Sequence, residues 1–178
     1  MNAITRALDE MVSVQESDPR ALRNLLGQFA TGVTVITTRG SDGRNVGMTA
    51  NSFSSVSLDP PLVLWSISRS APSLSDFLAA SHFAINVLGA DQHDLSGHFA
   101  RGAADKFANI SCQTGAGGVP LLEGGIATLV CLNLTQYEGG DHLIFLGQLE
   151  QYRNSGGEPL IFHAGQYRVA TLHPAVGQ

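Results

Sequence analysis

The chain has 178 residues, 43% hydrophobic and 14% charged, a composition that fits one folded domain and excludes an intrinsically disordered chain. The formal net charge of −5, with only ten Lys and Arg residues, argues against nucleic acid as a partner, because that binding needs clustered positive charge. No run of about 18 apolar residues occurs, so neither a membrane span nor a membrane partner is predicted.

The ends and the cysteines give weaker expectations. Residues 1–17 show no clear pattern and are predicted to be a mobile arm, with residues 18–178 forming one domain. No apolar signal region follows the first Met, so a cytoplasmic protein is expected. Cys112 and Cys131 match no C-x-x-C or metal-ligand spacing, which predicts free thiols and no metal site.

The first predicted element is a helix between Asp18 and Gly32. Asp18 is a good N-cap, Pro19 suits the first helical position, and Gly32 is a candidate stop. Apolar residues recur along it at helical spacing, and they are Leu22, Leu25, Leu26 and Phe29.

Strands are predicted for most of the remaining chain, where β-branched and alternating apolar residues dominate. The candidates are residues 33–38, 46–50, 61–68, 82–88, 126–138 and 142–153. Turn residues 42–43 and 139–141 predict hairpins, short helices are expected within 70–81 and 91–100, and a glycine-rich loop within 109–125. Short turns between strands favour an antiparallel barrel over a doubly wound sheet.

Three polar segments are candidates for a ligand site. The segment 47–68 carries hydroxyl groups around Asn51, whose amide can match a heterocycle edge. Thr31-Gly32 lies at a helix-to-strand junction, where glycine permits close approach of a ligand. Hydroxyl groups also end the strand 61–68, and there Ser73 is predicted to begin a helix and Arg69 to add charge for a phosphate. The alternative is a hydroxyl-rich loop that bonds to its own backbone.

Five stretches, in order along the chain, resemble the flavin reductase domain family. They are FATGVTVIT (29–37), GMTANSFSSVSLDPPLVLWSI (47–67), FAINVL (83–88), HFA (98–100) and GGDHLIFLGQLEQ (139–151). This is the FMN-binding split-barrel group, which includes the small reductase components of two-component flavin monooxygenases. The resemblance implies a mainly β fold, a six-stranded antiparallel Greek-key split barrel with flanking helices, usually a homodimer.

The resemblance also implies an activity. Members use NADH or NADPH to reduce FMN or FAD, and the reduced flavin passes to a partner monooxygenase. The choice of flavin and of nicotinamide, and whether flavin is a bound cofactor or a diffusing substrate, stay open. One alternative is an FMN-binding electron-transfer or sensing module without nicotinamide turnover. Another is a barrel that serves protein contacts only.

Site residues follow from the resemblance by motif position. Four sets are expected around the flavin. They are Thr31, Gly32, Val33 and Thr34 near the flavin; Thr49, Ala50, Asn51 and Ser52 at the isoalloxazine edge and ribityl chain; Ser66, Ile67, Ser68 and Ser73 at the ribityl phosphate region; and Asn86, Ser96, Phe99 and Arg101 at the phosphate or an adenosine extension. His142 is expected beside the nicotinamide as an orienting catalytic group. Asp141 either begins the turn or orients His142.

Overall fold

The structure, a computed structural model, describes residues 13–103 and 105–175. Most of the arm predicted for residues 1–17 therefore lies outside the described residues, and Val14–Glu16 form one turn of 3-10 helix. In the part of the chain that is described, no helix is long and apolar enough to span a bilayer.

Three α-helices occur in these residues: α1 (Pro19–Leu26), α2 (Leu74–Ala79) and α3 (His93–Ala100). The start of α1 is as predicted, since the Asp18 carboxylate accepts a hydrogen bond from the backbone N–H of Arg20 at 3.2 Å. The predicted end at Gly32 is wrong, because Gly27 closes the helix with its N–H on the carbonyl of Arg23.

Twelve strands occur in the same residues. They are β1 (Thr31–Gly32), β2 (Thr34–Arg39), β3 (Asn45–Ala50), β4 (Ser54–Leu58), β5 (Pro61–Ser68), β6 (His82–Val87), β7 (Cys112–Thr114), β8 (Pro120–Leu122), β9 (Ala127–Gly139), β10 (His142–Asn154), β11 (Leu160–His163) and β12 (Gln166–Val169). Each of the six predicted strands is present, with ends within one residue of the prediction.

The main sheet is antiparallel, in the order β3-β2-β6-β9-β10-β5-β4, which confirms the mainly β class. The six expected strands are all in this sheet, and the hydroxyl-rich segment 54–58 adds a seventh, the edge strand β4. A short, polar strand suits a sheet edge, since its outer backbone groups face water. A smaller sheet joins β1 to β11 and β12, and β7 and β8 form a hairpin inside the predicted glycine-rich loop.

The core lies on one side of β5 and β10 and leaves their other side free. Trp65 stacks on Phe145 with ring centroids 4.9 Å apart, and it meets Phe77 edge-on at 4.8 Å. Side chains alternate along a strand, so the residues between these buried ones point outward. This outer face carries Ser66 and Ser68 on β5 and His142 on β10.

The apolar stripe predicted for α1 is present but uncovered. Leu25, Leu26 and Phe29 are 67%, 68% and 80% exposed, and α1 contains no buried residue. The helix therefore presents its apolar face to the outside of the single chain.

Candidate functional site

The outer face of β5 and β10 brings together three of the predicted site residues. His142 is the direct cross-strand partner of Ser68. Ser66 pairs in the same way with Ile144, two residues further along each strand and therefore on the same face. Ile67 lies between the two serines and points the other way, into the core, where its side chain is fully buried. Its side chain therefore packs in the core, and the prediction that Ile67 lies at the ribityl phosphate concerns its backbone alone.

His142 is oriented by its neighbour in the turn. Its Nδ1 lies 2.7 Å from a carboxylate oxygen of Asp141. An ionised carboxylate only accepts hydrogen bonds, so Nδ1 is the donor and carries a hydrogen. This hydrogen bond, helped by the nearby ring charge, lowers the pKa of Asp141. Nε2 has no hydrogen-bond partner among the described residues. It is therefore available to a ligand, as an acceptor when the ring is neutral and as a donor when the ring is an imidazolium.

The segment after β3 is fastened to β5 beside that face. The hydroxyl of Ser52 donates to the carbonyl of Ser66 and accepts from the N–H of Ser66, both at 3.0 Å. Asn51, the preceding residue, is exposed. Upstream, the buried hydroxyl of Thr34 donates to the carbonyl of Ala50 at 2.6 Å, so these two residues hold the segment and do not face a ligand.

Thr31 and Asn51 share a second feature, a groove of about 670 Å³ beside α1. We call it the α1 groove; its lining comprises Arg23, Asn24, 26–29, Thr31, Asn51, Phe162, Ala164 and Gly165. The hydroxyl oxygen of Thr31 is buried there and has no hydrogen-bond partner in the described part of the chain. A buried hydroxyl without a partner is costly, so this atom fits a ligand group. Gly32 is exposed, and an added Cβ there would meet nothing within 4 Å.

A larger groove of about 840 Å³ runs along β3 and carries concentrated positive charge. We call it the cationic groove; its lining comprises Arg39, 43–49, 71–73, 99–103 and 105–107. Four cationic residues line it against the single acid Asp105, in a chain of net charge −5. It includes four predicted site residues, Thr49, Ser73, Phe99 and Arg101.

Lys106 is one of three cations of this groove, with Arg39 and Arg44, that sequence reasoning missed. Its ammonium donates to the carbonyls of Phe99 at 2.8 Å and Gly47 at 3.2 Å, and partial burial lowers its pKa. No carboxylate lies within ion-pair distance of it among the described residues, so one of its three hydrogens remains for an anion. The available signal was compositional, because Lys106 is the only lysine in the sequence.

The cationic groove and His142 lie at the same end of β5. Ala71, on the rim of the groove, donates its N–H to the carbonyl of Ser68 at 3.0 Å, and Ser68 is paired with His142. Ser68 also hydrogen-bonds the hydroxyl of Ser70 at 2.9 Å. The phosphate role predicted for Arg69 does not fit its position, since its Nε donates to the carbonyl of Gly140 at 3.0 Å.

Other predicted residues have internal partners. The amide of Asn86 is fully buried and bonded to Val35, Thr37 and Leu122. Its predicted phosphate contact is therefore replaced by a structural role. The hydroxyl of Ser96 is likewise bonded to that of Tyr167 at 2.8 Å.

The side chains of the remaining predicted residues range from fully buried to available for a ligand. The side chain of Val33 packs in a core cluster beneath α3 and is 2% exposed. Phe99 belongs to the same cluster and meets Phe107 edge-on at 5.2 Å. Thr49 donates its hydroxyl to the carbonyl of Ser96 at 2.6 Å while lining the cationic groove. The hydroxyl of Ser73 makes only a weak contact with the sulfur of Met48 at 3.9 Å, so it remains available to a ligand in the groove.

Comparison with known proteins places these features in a family. The family described as "Flavin reductase like domain" matches residues 26–171. The FMN reductase (NADH) SmoA of Agrobacterium fabrum is 43% identical over 148 residues, which are 83% of this chain and 84% of that protein. The reductase component of flavin-dependent trigonelline monooxygenase of Acinetobacter baylyi is also 43% identical over 148 residues.

The relatives differ in length. The chain spans 48% of the Acinetobacter reductase component, and the same share of a Rhizobium meliloti relative that is 43% identical over 150 residues. The chain thus covers about half the length of these curated relatives but most of SmoA.

One solved structure of another protein is similar to this chain over nearly its whole length. The NADH:FAD oxidoreductase SgcE6 of Streptomyces globisporus, in complex with NAD and FAD fragments, has a TM-score of 0.84 at 40% identity. The match covers 94% of this chain and 99% of that protein. The predicted family is confirmed: the chain belongs to the family of flavin reductase like domains.

Proposed function

We propose that this chain is an NADH-dependent flavin reductase, which transfers a hydride from the nicotinamide to FMN or FAD. The main support is the junction of a cationic groove with an uncharged, hydroxyl-bearing face that ends at His142. Two relatives similar over most of their length carry names that state NADH-dependent flavin reduction. The redox chemistry belongs to the bound flavin and nicotinamide, so the protein's task is binding and orientation.

The cationic groove fits the flavin phosphate. Lys106 and Arg101 supply positive charge, and the hydroxyl of Ser73 supplies a neutral donor. Charge-assisted hydrogen bonds to phosphate oxygens are about twice as strong as neutral ones. Arg44 contributes less, because it is already paired with Asp42 and Asp76.

The polar edge of the flavin ring fits the groups around Asn51. The Asn51 amide offers both donors and an acceptor, and Thr31, whose hydroxyl oxygen has no hydrogen-bond partner among the described residues, lines the same groove. Ser52 positions this segment by its two hydrogen bonds with Ser66. A heterocycle edge that alternates donors and acceptors needs such uncharged groups.

His142 fits the nicotinamide. With Nδ1 bonded to Asp141, the neutral ring presents Nε2 as an acceptor, which suits the amide hydrogens of a nicotinamide carboxamide. In its protonated form the same atom donates, which suits an anionic reduced flavin. His142 therefore acts by positioning, and removal of its ring is expected to raise the KM for NADH more than it weakens flavin binding.

We further infer that the chain forms a homodimer through α1 and supplies reduced flavin to a monooxygenase. Leu25, Leu26 and Phe29 expose the apolar surface that such an interface would cover. Several relatives are named as reductase components or subunits of flavin-dependent monooxygenases. Light scattering on wild type and Leu26→Glu tests the dimer; a monomer in both would contradict it.

The activity is tested by mixing the protein with NADH or NADPH and with excess FMN or FAD. Loss of the near-ultraviolet absorbance of the reduced nicotinamide is expected, faster with NADH than with NADPH. His142→Ala, measured in parallel, is the matched control for the orienting role. Flavin binding without turnover with either nicotinamide would contradict the proposal and favour an electron-transfer or sensing module.

A further inference from the structure

The turn that carries His142 is not held by packing. It consists of Gly140 and Asp141, between Gly139 at the end of β9 and His142 at the start of β10. Gly140 has a left-handed φ of 72°, and a Cβ added there would meet nothing within 4 Å. Asp141 has a side chain that is 91% exposed. The conformation of this turn therefore depends on its hydrogen bonds.

Arg69 supplies three of the contacts that hold the turn. Its backbone N–H donates to the carbonyl of Asp141 at 2.9 Å, and its Nε donates to the carbonyl of Gly140 at 3.0 Å. Its guanidinium also forms an ion pair with Glu138, near the end of β9. The Nε contact holds the peptide that links Gly140 to Asp141, the ion pair keeps the guanidinium in place, and Asp141 in turn holds the ring of His142.

We infer that Arg69 is a positioning residue for the reductase reaction: its guanidinium fixes the turn so that Asp141 presents Nε2 of His142 to the nicotinamide. This inference rests on the proposed function, because it assigns to His142 the role of orienting NADH. In this role Arg69 makes no contact with the substrate. Without the guanidinium, the carbonyl of Gly140 loses its hydrogen-bond donor, and the peptide between Gly140 and Asp141 can rotate.

Two observations separate this role from a stabilising or a phosphate-binding one. The side chains of Arg69 and Glu138 are 43% and 76% exposed, and ion pairs at that exposure add little to the free energy of unfolding. The guanidinium is also committed to a carboxylate and a carbonyl of the turn, whereas Lys106 in the cationic groove lacks an anionic partner among the described residues.

The kinetic test compares Arg69→Met with Arg20→Met, a matched loss of an exposed arginine from α1. Arg69→Met should raise the KM for NADH about fivefold, with kcat and the flavin dissociation constant changed less than about twofold. In a His142→Ala background it should cause no further rise, because the two residues act through one ring. Glu138→Gln, which leaves Arg69 in place, should give a smaller rise.

A second measurement does not need turnover. In protein with nitrogen-15 histidine, the wild-type ring of His142 should show a hydrogen fixed on Nδ1, and Arg69→Met should show averaging between the tautomers. Unchanged His142 signals, or an equal rise in KM in the His142→Ala background, would overturn the inference. A fixed His142 ring that is released by Arg69→Met, in a protein that does not oxidise NADH, would instead overturn the proposed function.

Discussion

Replacement of Asn86 by Ala tests whether the Asn86 amide stabilises the fold or binds a ligand. In the fold, the Asn86 side chain donates to the carbonyl of Val35 at 3.0 Å and to the hydroxyl of Thr37 at 3.2 Å, and it accepts from the N–H of Leu122 at 2.9 Å. Asn86 joins β6 to β2 and β8 through these bonds, and its side chain has no exposed surface.

The expected loss in the free energy of unfolding follows from the groups that Asn86→Ala leaves without a hydrogen-bond partner. The N–H of Leu122 is in a residue only 1% exposed, and without an acceptor it costs about 1–3 kcal/mol. The carbonyl of Val35 loses a donor, while the hydroxyl of Thr37 keeps its bond to the carbonyl of Pro120 at 2.5 Å. With the small cavity, the free energy of unfolding should fall by about 2–4 kcal/mol. For a chain of this length that lowers Tm by roughly 5–15 °C.

The assay combines thermal denaturation with flavin titration at a temperature where the variant is folded. Asn86→Ala should melt earlier but bind flavin with the wild-type dissociation constant. In the control Asn86→Asp, the acceptor for Leu122 remains, but burial disfavours the ionised carboxyl. The pKa of that carboxyl is then higher in the folded than in the unfolded chain, so its stability should approach wild type at acid pH and fall as pH rises. An unchanged Tm in Asn86→Ala with at least tenfold weaker flavin binding would refute this reasoning.

Three further predictions concern the cationic groove, the sheet and the thiols. Lys106→Met should weaken FMN binding about tenfold or more through loss of a charge-assisted hydrogen bond, and because burial lowers the pKa of Lys106, wild-type affinity should fall as pH rises into the alkaline range. Gly147→Ala should destabilise the fold by about 1–3 kcal/mol in chemical denaturation, because the added Cβ would overlap the ring of Phe83. Burial raises the pKa of the Cys131 thiol to about 12, so a thiol reagent at neutral pH should label Cys112 alone in the folded protein.

Each of these has a control and a contradicting result. Riboflavin lacks the phosphate, so its binding should be the same in wild type and Lys106→Met; an equal loss for riboflavin would contradict the phosphate contact. The control is Gly97→Ala, which should not destabilise the fold because the added Cβ meets nothing within 4 Å. An unfolding transition of Gly147→Ala identical to that of wild type would contradict the overlap with Phe83. Both thiols should react after unfolding, and fast labelling of Cys131 in the folded protein would contradict its burial.

Six of the seven strands of the main sheet were predicted, because their side chains alternate locally, and their ends were found to within one residue. The Asp18 cap of α1 is likewise a local signal. The end of α1 was not, because Thr31 leaves the helical path to pair with Phe162, far along the chain. Such pairing depends on tertiary contacts that a local pattern does not contain.

The candidate site was predictable in its residue types and less so in the direction of its side chains. The hydroxyl of Ser52 does meet the backbone of Ser66, and Asn51 shares a groove with Thr31. The side chain of Ile67 points into the core, opposite its serine neighbours, and motif position alone does not distinguish the two faces of a strand. Lys106 was missed because only the folded chain brings it under β3.

The placement of the flavin phosphate beside Lys106 is tested most directly by labelling that residue. Incorporation of lysine labelled with carbon-13 at Cε keeps the charge and all three ammonium hydrogens, and it marks only Lys106, the single lysine of the sequence. In an NMR titration, FMN should shift the Lys106 Cε signal, and riboflavin should leave it almost unchanged. Quenching of FMN fluorescence on binding, with no shift of the Lys106 signal, would show that the phosphate binds elsewhere and would contradict the proposed site.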